Sequence, residues 1–337
     1  ERQAAAKRQA TTQNTQVSTL AAPTAMAMAM AMPGGMPNYF GPESNWAFSP
    51  LIRKFVDSLP GLGYANRNNL NQYIPVAVPD ANTYPGSDYY EIELGEYTEK
   101  MHSDLNSTTL RGYRQTNTTD PNVSQFHYLG PLIIAHKDRP VRIKFTNNLP
   151  TGAGGDLFLP VDTTVMGAGM GPDMVMPMHT HYTAGSPTVS IHADANHNFS
   201  VGQLIMLHGF MPEAYNGEFR VVGVSSVLSF QVTLNADPCG PATVLGEVME
   251  MYTENRGTLH LHGGLVPWIS DGTQHQWTTP YGEVTNYRKG DSTQNVPDMP
   301  DPGQGSITFF YPNQQSGRLM FYHDHSFGIT RLNVYAG

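Results

Sequence analysis

The sequence is poor in cysteine and in charge. Its 337 residues contain one cysteine, Cys239, so no disulfide can form within the chain and no cysteine-rich zinc site can be built. Charged residues make up only 14% of the chain, and the net charge of −9 leaves no basic stripe to neutralise phosphates, which argues against nucleic acid as a partner. The sequence also lacks an apolar run of about 18 residues, so we expect no membrane span.

Glycine and proline are abundant by contrast. The 33 glycines and 26 prolines predict many short strands joined by turns, hence an all-β fold. Residues 88–97 alternate apolar and polar side chains, and residues 141–149 do the same, as half-buried strands do. Such strands between turn residues are typical of a Greek-key β-sandwich.

The chain divides into four predicted segments. Residues 1–37 form an Ala-, Gln- and Met-rich tail, whose methionines could bind a soft ion or merely belong to a flexible apolar leader. Residues 38–182 and 250–337 are the two parts of one predicted β domain. Between them, residues 183–249 read as a separate small β domain inserted into the first. The insert resembles a β module of bacterial surface and phage proteins, and its Asn216-Gly217 pair predicts a hairpin turn.

Two His-x-His pairs carry the chemistry, His260 with His262 and His323 with His325. In a strand, residues i and i+2 point to the same face, so each pair projects two imidazoles side by side. Imidazole is a ligand for zinc, copper, iron and nickel. One such pair is a weak signal, whereas two of them predict a metal site at which four imidazoles converge. At the entrance to the insert, His179 and His181 lie near Met174, Met176 and Met178 and could form an accessory copper site, or be ordinary surface residues.

The surroundings of these pairs resemble a known family. The run His260-Leu-His262-Gly-Gly-Leu-Val-Pro-Trp-Ile-Ser-Asp271-Gly, followed by His323-Asp-His325-Ser, is similar to the first cupredoxin domain of the multicopper oxidases. The likeness is to the bacterial laccase, spore-coat and bilirubin-oxidase branch, and it covers roughly residues 37–176 and 252–337. It implies a cupredoxin-like Greek-key sandwich with copper as the cofactor.

The resemblance also implies roles for individual residues. His260 matches a type 2 copper ligand, and His262, His323 and His325 match ligands of the type 3 pair. Asp271 matches an acidic residue that passes protons to reduced oxygen, a relay consistent with the four protons that O2 needs to become water. The alternative for Asp271 is a turn residue before Gly272, since Asp-Gly is common in turns.

The chain departs from the family in its ligand inventory. The complete enzymes have eight cluster histidines and a type 1 copper held by a His-Cys-His motif. This chain matches four of the histidines, and Cys239 lies in the insert between Pro238 and Gly240. We therefore expect the chain to need further cupredoxin domains, in the same precursor or in a separate chain.

Two functions remain open from the sequence. The first is the N-terminal portion of a laccase-like oxidase that couples one-electron oxidation of a phenol, a pigment or a metal ion to the reduction of O2 to water. The second is an extracellular structural or adhesive subunit that keeps a cupredoxin scaffold without oxidase activity. For either, the expected location is secreted, at the cell surface or periplasmic.

Overall fold

A computed structural model describes residues 52–337; the predicted tail 1–37 and the start of the segment 38–182 lie outside the described residues. In the described part the backbone forms thirteen strands and one short α-helix. The strands are β1 (Asp88–Glu99), β2 (Thr108–Gln115), β3 (Val141–Asn147), β4 (Met170–Val175), β5 (Pro177–His181), β6 (Thr188–Ala193), β7 (Leu204–His208), β8 (Gly217–Ser226), β9 (Ser229–Thr233), β10 (Glu247–Met251), β11 (His260–Leu261), β12 (Ser306–Tyr311) and β13 (Tyr322–His323). The helix α1 covers Thr330–Ala336.

The first sheet has four strands in the order β12-β3-β1-β2. β1 pairs in parallel with β3, and the other two pairings are antiparallel. Side chains along β3 alternate between buried and half-buried, so Val141, Ile143 and Phe145 enter the core while the residues between them stay near solvent. This is the alternation that the sequence predicts, because successive residues of a strand face opposite sides of the sheet.

A second layer covers the apolar face of this sheet. Leu259 is buried in the same core cluster as the sheet residues, and Leu261, Val266 and Tyr322 pack against that cluster. This layer consists of the short β11–β13 ladder and irregular segments. The all-β prediction is confirmed, and the arrangement is a cupredoxin-like sandwich. No helix in residues 52–337 is long and apolar enough to cross a membrane.

The second sheet has seven strands in the order β4-β10-β7-β8-β9-β6-β5. Its core is a cluster of its own, which includes Ile191, Ile205, Tyr215 and Phe230. The sheet extends beyond the segment 183–249, because β4 and β5 precede that segment and β10 runs past its end. That this module folds as a separate domain stays a prediction.

The predicted hairpin turn at Asn216-Gly217 is wrong. Gly217 is the first residue of β8, and Asn216 closes a 3-10 turn over Glu213–Tyr215. The Asn216 side chain accepts a hydrogen bond from the Phe210 N–H at 2.8 Å and donates one to the Phe210 carbonyl at 2.9 Å. The asparagine therefore closes a longer β7–β8 loop with its side chain rather than with a two-residue backbone turn.

The sheet segment 170–251, which extends the predicted module at both ends, is fastened to the first domain by polar contacts. Glu250 is buried, and its carboxylate accepts hydrogen bonds from the Thr285 hydroxyl and from the backbone and side-chain N–H groups of Asn286 at 2.7 to 2.9 Å. Burial raises the pKa of Glu250, opposed by these hydrogen bonds. Arg220 reaches Asp156 at 2.7 Å. The two ends of the module meet, because the Tyr252 N–H donates to the Gly169 carbonyl at 2.9 Å.

Replacing residues 170–251 by a two-glycine linker is expected to leave the first domain folded. Met170 and Met251 are paired across β4 and β10, so the excision joins neighbouring ends and leaves no unpaired strand of the second sheet. The three hydrogen bonds of Glu250 disappear, at about 1 kcal/mol each, so unfolding in urea should remain cooperative with a loss of at most about 3 kcal/mol. Excising only residues 183–249 is the control, and should aggregate because it leaves β4 and β5 as exposed edges. Loss of cooperative unfolding in the larger deletion would contradict a separable module.

Candidate metal centre

The two His-x-His pairs meet across the β11–β13 ladder. His260 lies directly opposite His323, and the His262 N–H continues the ladder by donating to the Phe321 carbonyl at 3.0 Å. Ring centroids of neighbouring histidines are 4.8 to 5.8 Å apart, His260 to His325 being the shortest separation. The structure thus brings together all four histidines singled out by the sequence.

Backbone carbonyls fix the orientation of two of these rings. The Nδ1–H of His260 donates to the Asp271 carbonyl at 2.5 Å, and the Nδ1–H of His323 donates to the Asp324 carbonyl at 2.6 Å. With Nδ1 protonated, the neutral ring carries its lone pair on Nε2. Such hydrogen bonds orient metal-binding histidines and set their tautomer. Both rings are therefore held with Nε2 available to a metal.

His262 presents Nδ1, rather than Nε2, to the space next to the Nε2 atom of His323. Its Nδ1 lies 3.3 Å from Nε2 of His323, and one ligand nitrogen from each of His260, His262 and His323 can be chosen so that all three lie within 4.8 Å. Two nitrogens bound at about 2.0 to 2.1 Å to one tetrahedral ion are roughly 3.3 Å apart. The spacing of these imidazoles fits a shared metal ion.

His325 supplies a buried nitrogen without a partner. Its Nδ1 is buried and makes no hydrogen bond. A buried polar nitrogen left unpaired costs about 1 to 3 kcal/mol, a cost that a bound metal or an ordered water would remove. Together with the spacing of the other three rings, this orphaned nitrogen fits an imidazole-bound transition metal at the site.

The protonation state of His323 also suits a ligand. Burial lowers its pKa; the hydrogen bond to the Asp324 carbonyl acts in the opposite direction, and the nearby rings of His260, His325 and His262 lower it further. The neutral imidazole is the form that binds a metal. The environment therefore favours the metal-binding form near neutral pH.

Asp271 lies at the edge of this group. It follows the 3-10 turn Trp268–Ser270, and its carboxylate Oδ1 is 3.9 Å from Nδ1 of His260. Its side chain is 32% exposed, so the carboxylate can contact both water and the histidine group. Asp271 thus lies in a turn, as expected if it were only a turn residue before Gly272. It also contacts His260 through both its carbonyl and its carboxylate.

Gln276 holds the Asp271 turn in place, a role that the sequence alone does not reveal. The Gln276 side chain is buried; its Oε1 accepts from the N–H groups of Gly272 and Thr273, and its Nε2 donates to the Trp268 carbonyl at 3.0 Å. Nothing in the local sequence indicates this, because a glutamine at this spacing is equally common at a surface. Gln276 therefore orients the turn that carries Asp271.

Gly272 has no room for a side chain. Its φ of +67° lies in the left-handed region, and a Cβ there would be 2.1 Å from the Leu259 carbonyl oxygen. We expect Gly272→Ala to destabilise the protein more than Gly282→Ala, whose φ is +84° but whose Cβ would meet nothing within 4 Å. The control should lose about 1 to 2 kcal/mol from its backbone conformation alone. Urea unfolding measures both losses, and equal losses would contradict the close approach of the turn to the histidine strand.

Asp324, between the histidines of the second pair, joins the two pairs. Its buried carboxylate accepts hydrogen bonds from the Thr258 N–H at 2.8 Å, from the N–H and hydroxyl of Ser326, and from the Asn333 side chain at 2.8 Å. Thr258 precedes His260 by two residues, so the carboxylate ties the strand of one pair to the loop of the other. The sequence does not reveal this role, although strand alternation points Asp324 away from the ligand face.

Asp324 also faces a buried cation. Arg256 is fully buried, and burial lowers its pKa to about 10 while the charge of Asp324 opposes that shift. The guanidinium donates to the Phe327 carbonyl at 2.7 Å and lies over the rings of Tyr252 and Trp277. The buried guanidinium of Arg256 thus holds the segment at Phe327, which directly follows the second histidine pair.

Asp324→Ala is expected to lower the free energy of unfolding by about 3 to 5 kcal/mol, because it leaves the buried donors of Thr258, Ser326 and Asn333 without an acceptor and removes a negative charge that offsets the buried Arg256 guanidinium. Asp324→Asn keeps an acceptor for Thr258 and should cost less. Asp298→Ala is the matched control, since Asp298 pairs with Arg142 but is 66% exposed, and it should change stability by at most about 1 kcal/mol. Denaturant titration of the three variants measures these changes in the free energy of unfolding. Equal losses of stability for Asp324→Ala and Asp298→Ala would contradict the role of Asp324 in joining the two histidine pairs.

The remaining histidines lie elsewhere. His275 is exposed and packs against Phe327, whereas His127 pairs with Glu99 at 3.5 Å. His179 and His181 lie on the second sheet with His192, whose pKa is lowered by partial burial and then by the charges of His179 and His181. None of these histidines contributes to the group at β11 and β13.

Most of the chain is similar in sequence to known laccases. The chain is 25% identical to a laccase from Bacillus subtilis (strain 168) over 286 residues, which is 85% of this chain and 32% of that protein. It is 25% identical to a laccase from Haloferax volcanii over 86% of this chain and 30% of that protein. It is 38% identical over 80 residues, or 23% of this chain and 11% of that protein, to Multicopper oxidase LPR1 homolog 1 from Oryza sativa subsp. japonica.

A search of protein-family models finds no match. The chain spans about a third of the length of the laccases that it resembles. Two kinds of observation therefore agree: the similarity to laccases and multicopper oxidases, and the cupredoxin-like sandwich with its converging His-x-His pairs. The chain is thus similar to the multicopper oxidases, and the bacterial laccase branch fits it.

Proposed function

We propose that this chain supplies half of the ligands of a trinuclear copper centre in a laccase-like oxidase. In that enzyme, one-electron oxidation of a small reducing substrate is coupled to the four-electron reduction of O2 to water. His260 is the type 2 ligand, and His262, His323 and His325 are type 3 ligands. Asp271 is the catalytic acid near the centre. The observation that carries the proposal is the convergence of the four imidazoles at the β11–β13 ladder.

The donor set favours copper. Imidazole suits copper, and Cu2+ binds a given nitrogen site more tightly than the other divalent first-row ions. Copper bound here would accept electrons one at a time from the substrate and deliver four of them to O2. The chain contributes the fixed orientation of the ligands, through the carbonyls of Asp271 and Asp324.

Asp271 supports the proton side of this chemistry. Reduction of O2 to water consumes four protons, and a carboxylate in contact with both water and the ligand group can hold a proton next to the place where it is needed. Asp271 is partly exposed, and its carboxylate lies 3.9 Å from Nδ1 of His260, so it reaches the ligand group from the side of the ring opposite the metal-binding Nε2. The backbone carbonyl of the same residue orients His260 even when the carboxylate is changed.

Further cupredoxin domains must complete the centre, because four imidazoles are half of the eight that the family uses. Large apolar side chains next to the ligands in sequence are exposed, with exposed fractions of 59% for Leu265, 66% for Trp268 and 59% for Phe321. Phe321 also stacks on His262, with ring centroids 4.5 Å apart. Exposed apolar groups of this kind mark interaction surfaces, so this is the surface to which the completing domains would bind. We propose a secreted, cell-surface or periplasmic location for the assembled enzyme.

The test is the stoichiometry of the reaction. The assembled protein, with the completing domains supplied in cis or in trans, is loaded with copper and given a phenolic substrate in an oxygen electrode. Four substrate molecules should be oxidised for each O2 consumed, with no hydrogen peroxide, since each phenol gives one electron. The double variant His260→Ala, His323→Ala is the control and should consume no O2.

Two outcomes contradict the proposal. Accumulation of hydrogen peroxide at two substrates per O2 would show two-electron reduction. An assembled protein that binds no copper at this site, and is equally stable without His260 and His323, would favour the structural or adhesive subunit.

A further inference from the structure

A second group of histidines lies on the outer face of the seven-stranded sheet. His179 and His181 are in β5, which is the edge strand, and both are exposed while Thr180 between them is buried. Residues i and i+2 of a strand share a face. The two imidazoles therefore project together from the side of the sheet that faces solvent.

A third imidazole comes from the neighbouring strand. His192 in β6 is paired directly with His179, and its neighbours Ile191 and Ala193 are buried, so His192 points outward. The rings of His179 and His192 stack, with centroids 4.2 Å apart and planes at 12°. Side chains opposite each other on adjacent strands have Cβ atoms about 4.5 to 5.5 Å apart, which is within reach of a shared ligand.

We propose that His179, His181 and His192 form a second metal site, on the face of the inserted sheet, for a divalent transition-metal ion of the imidazole-binding class. Cu2+ should bind most tightly, because it does so at a given nitrogen site. The three rings are not gathered at metal-binding distance in the described structure, so binding requires them to rotate from the stacked arrangement, which the broad torsions of imidazole rings allow. The site is distinct from the centre at β11 and β13 and does not depend on the function proposed for it.

The edge strand has a bulge beside His179 and carries an exposed methionine there. The register of β5 against β6 shifts between Pro177 and His179, and Met178 between them is 63% exposed. Bulges re-aim side chains and are common at sheet edges. Met176 is also exposed, at 43%. Thioethers are soft ligands that favour Cu(I), so these methionines would add to the affinity of the site for copper when the ion is reduced.

The experiment uses the full chain with His260→Ala and His323→Ala, which removes two ligands of the first centre. Cu2+ alone is titrated by calorimetry. We expect one remaining equivalent of Cu2+, with a dissociation constant that rises at least about tenfold when His192→Ala is added, since even changes beyond the ligand shell cost 10- to 100-fold in affinity. His208→Ala is the matched control, because His208 is exposed on β7 of the same sheet, opposite Glu247. It should leave the titration unchanged.

A second measurement tests the proposal even if the His260→Ala, His323→Ala variant fails to fold. Histidine ring NMR signals of the unaltered chain are recorded as Cu2+ is added until the His260 and His323 signals have broadened, and then with one further equivalent, since Cu2+ broadens signals of nearby nuclei. Signals of His179, His181 and His192 should broaden, and that of His208 should not. The proposal is overturned if His192→Ala and His208→Ala bind Cu2+ equally, or if the His179 and His192 signals stay sharp. The stacked pair would then be an aromatic contact only.

Discussion

Replacing His262 by alanine is expected to remove copper from the assembled enzyme and to abolish its turnover. His262 offers Nδ1 to the space that it shares with Nε2 of His323, 3.3 Å away, so its loss takes one nitrogen from the closest pair of ligand atoms. Affinity should fall by more than about 100-fold, the upper end of what the loss of a group outside the ligand shell costs. Copper content and O2 consumption measure the two effects.

The control for this variant is His136→Ala. His136 is exposed and lies outside the histidine group, so its replacement should leave copper content and turnover at the parent level. Neither a change of pH nor added formate should restore the His262 variant, because the missing element is a ligand rather than a proton donor. Full copper occupancy in His262→Ala would mean that His262 is not a ligand.

Asp271→Asn, unlike His262→Ala, should leave the copper content unchanged and lower only the rate of O2 reduction. The amide cannot donate the same proton, but the backbone carbonyl that orients His260 is retained, so copper should stay bound while O2 reduction slows. General acid–base contributions are typically about 10²- to 10⁴-fold, which sets the expected loss of kcat. The loss should increase with pH, because hydronium ions from solvent replace the missing acid less well at higher pH.

Asp271→Glu serves as the matched variant for this prediction. It restores a carboxyl group and should recover part of the rate, with copper content equal in all three proteins. The measurement is kcat for O2 consumption over about pH 5 to 8, the range in which solvent acidity varies most around neutrality. If the asparagine variant turned over at the parent rate across that range, Asp271 would be a turn residue only.

The sequence was most informative where periodicity and spacing decide the structure. The alternation in residues 88–97 predicts β1, observed as Asp88–Glu99, and that in 141–149 predicts β3. The same period of two placed the histidine pairs on one face, and the structure opposes His260 and His323 across a ladder. The two paired strands, β11 and β13, are only two residues long, however. His262 and His325 therefore project from positions just beyond the regular ladder.

Other features depend on contacts between distant segments, which no local pattern encodes. The carboxylate of Asp324 meets Thr258, 66 residues away in sequence, and the link exists only after the two strands pair. His192 faces His179 because of the register between β6 and β5, which no local sequence pattern encodes. The Asn216-Gly217 prediction was wrong because the asparagine side chain replaced the backbone turn.

The central claim is that four histidines of this chain hold copper, and anomalous X-ray scattering tests it most directly. Crystals of the copper-loaded, assembled protein are measured on both sides of the copper absorption edge. The account predicts anomalous peaks at about 2.0 to 2.1 Å from one nitrogen of each of His260, His262, His323 and His325, by analogy with zinc–imidazole bonds. Copper peaks confined to other parts of the molecule, with these four imidazoles free of metal, would contradict it.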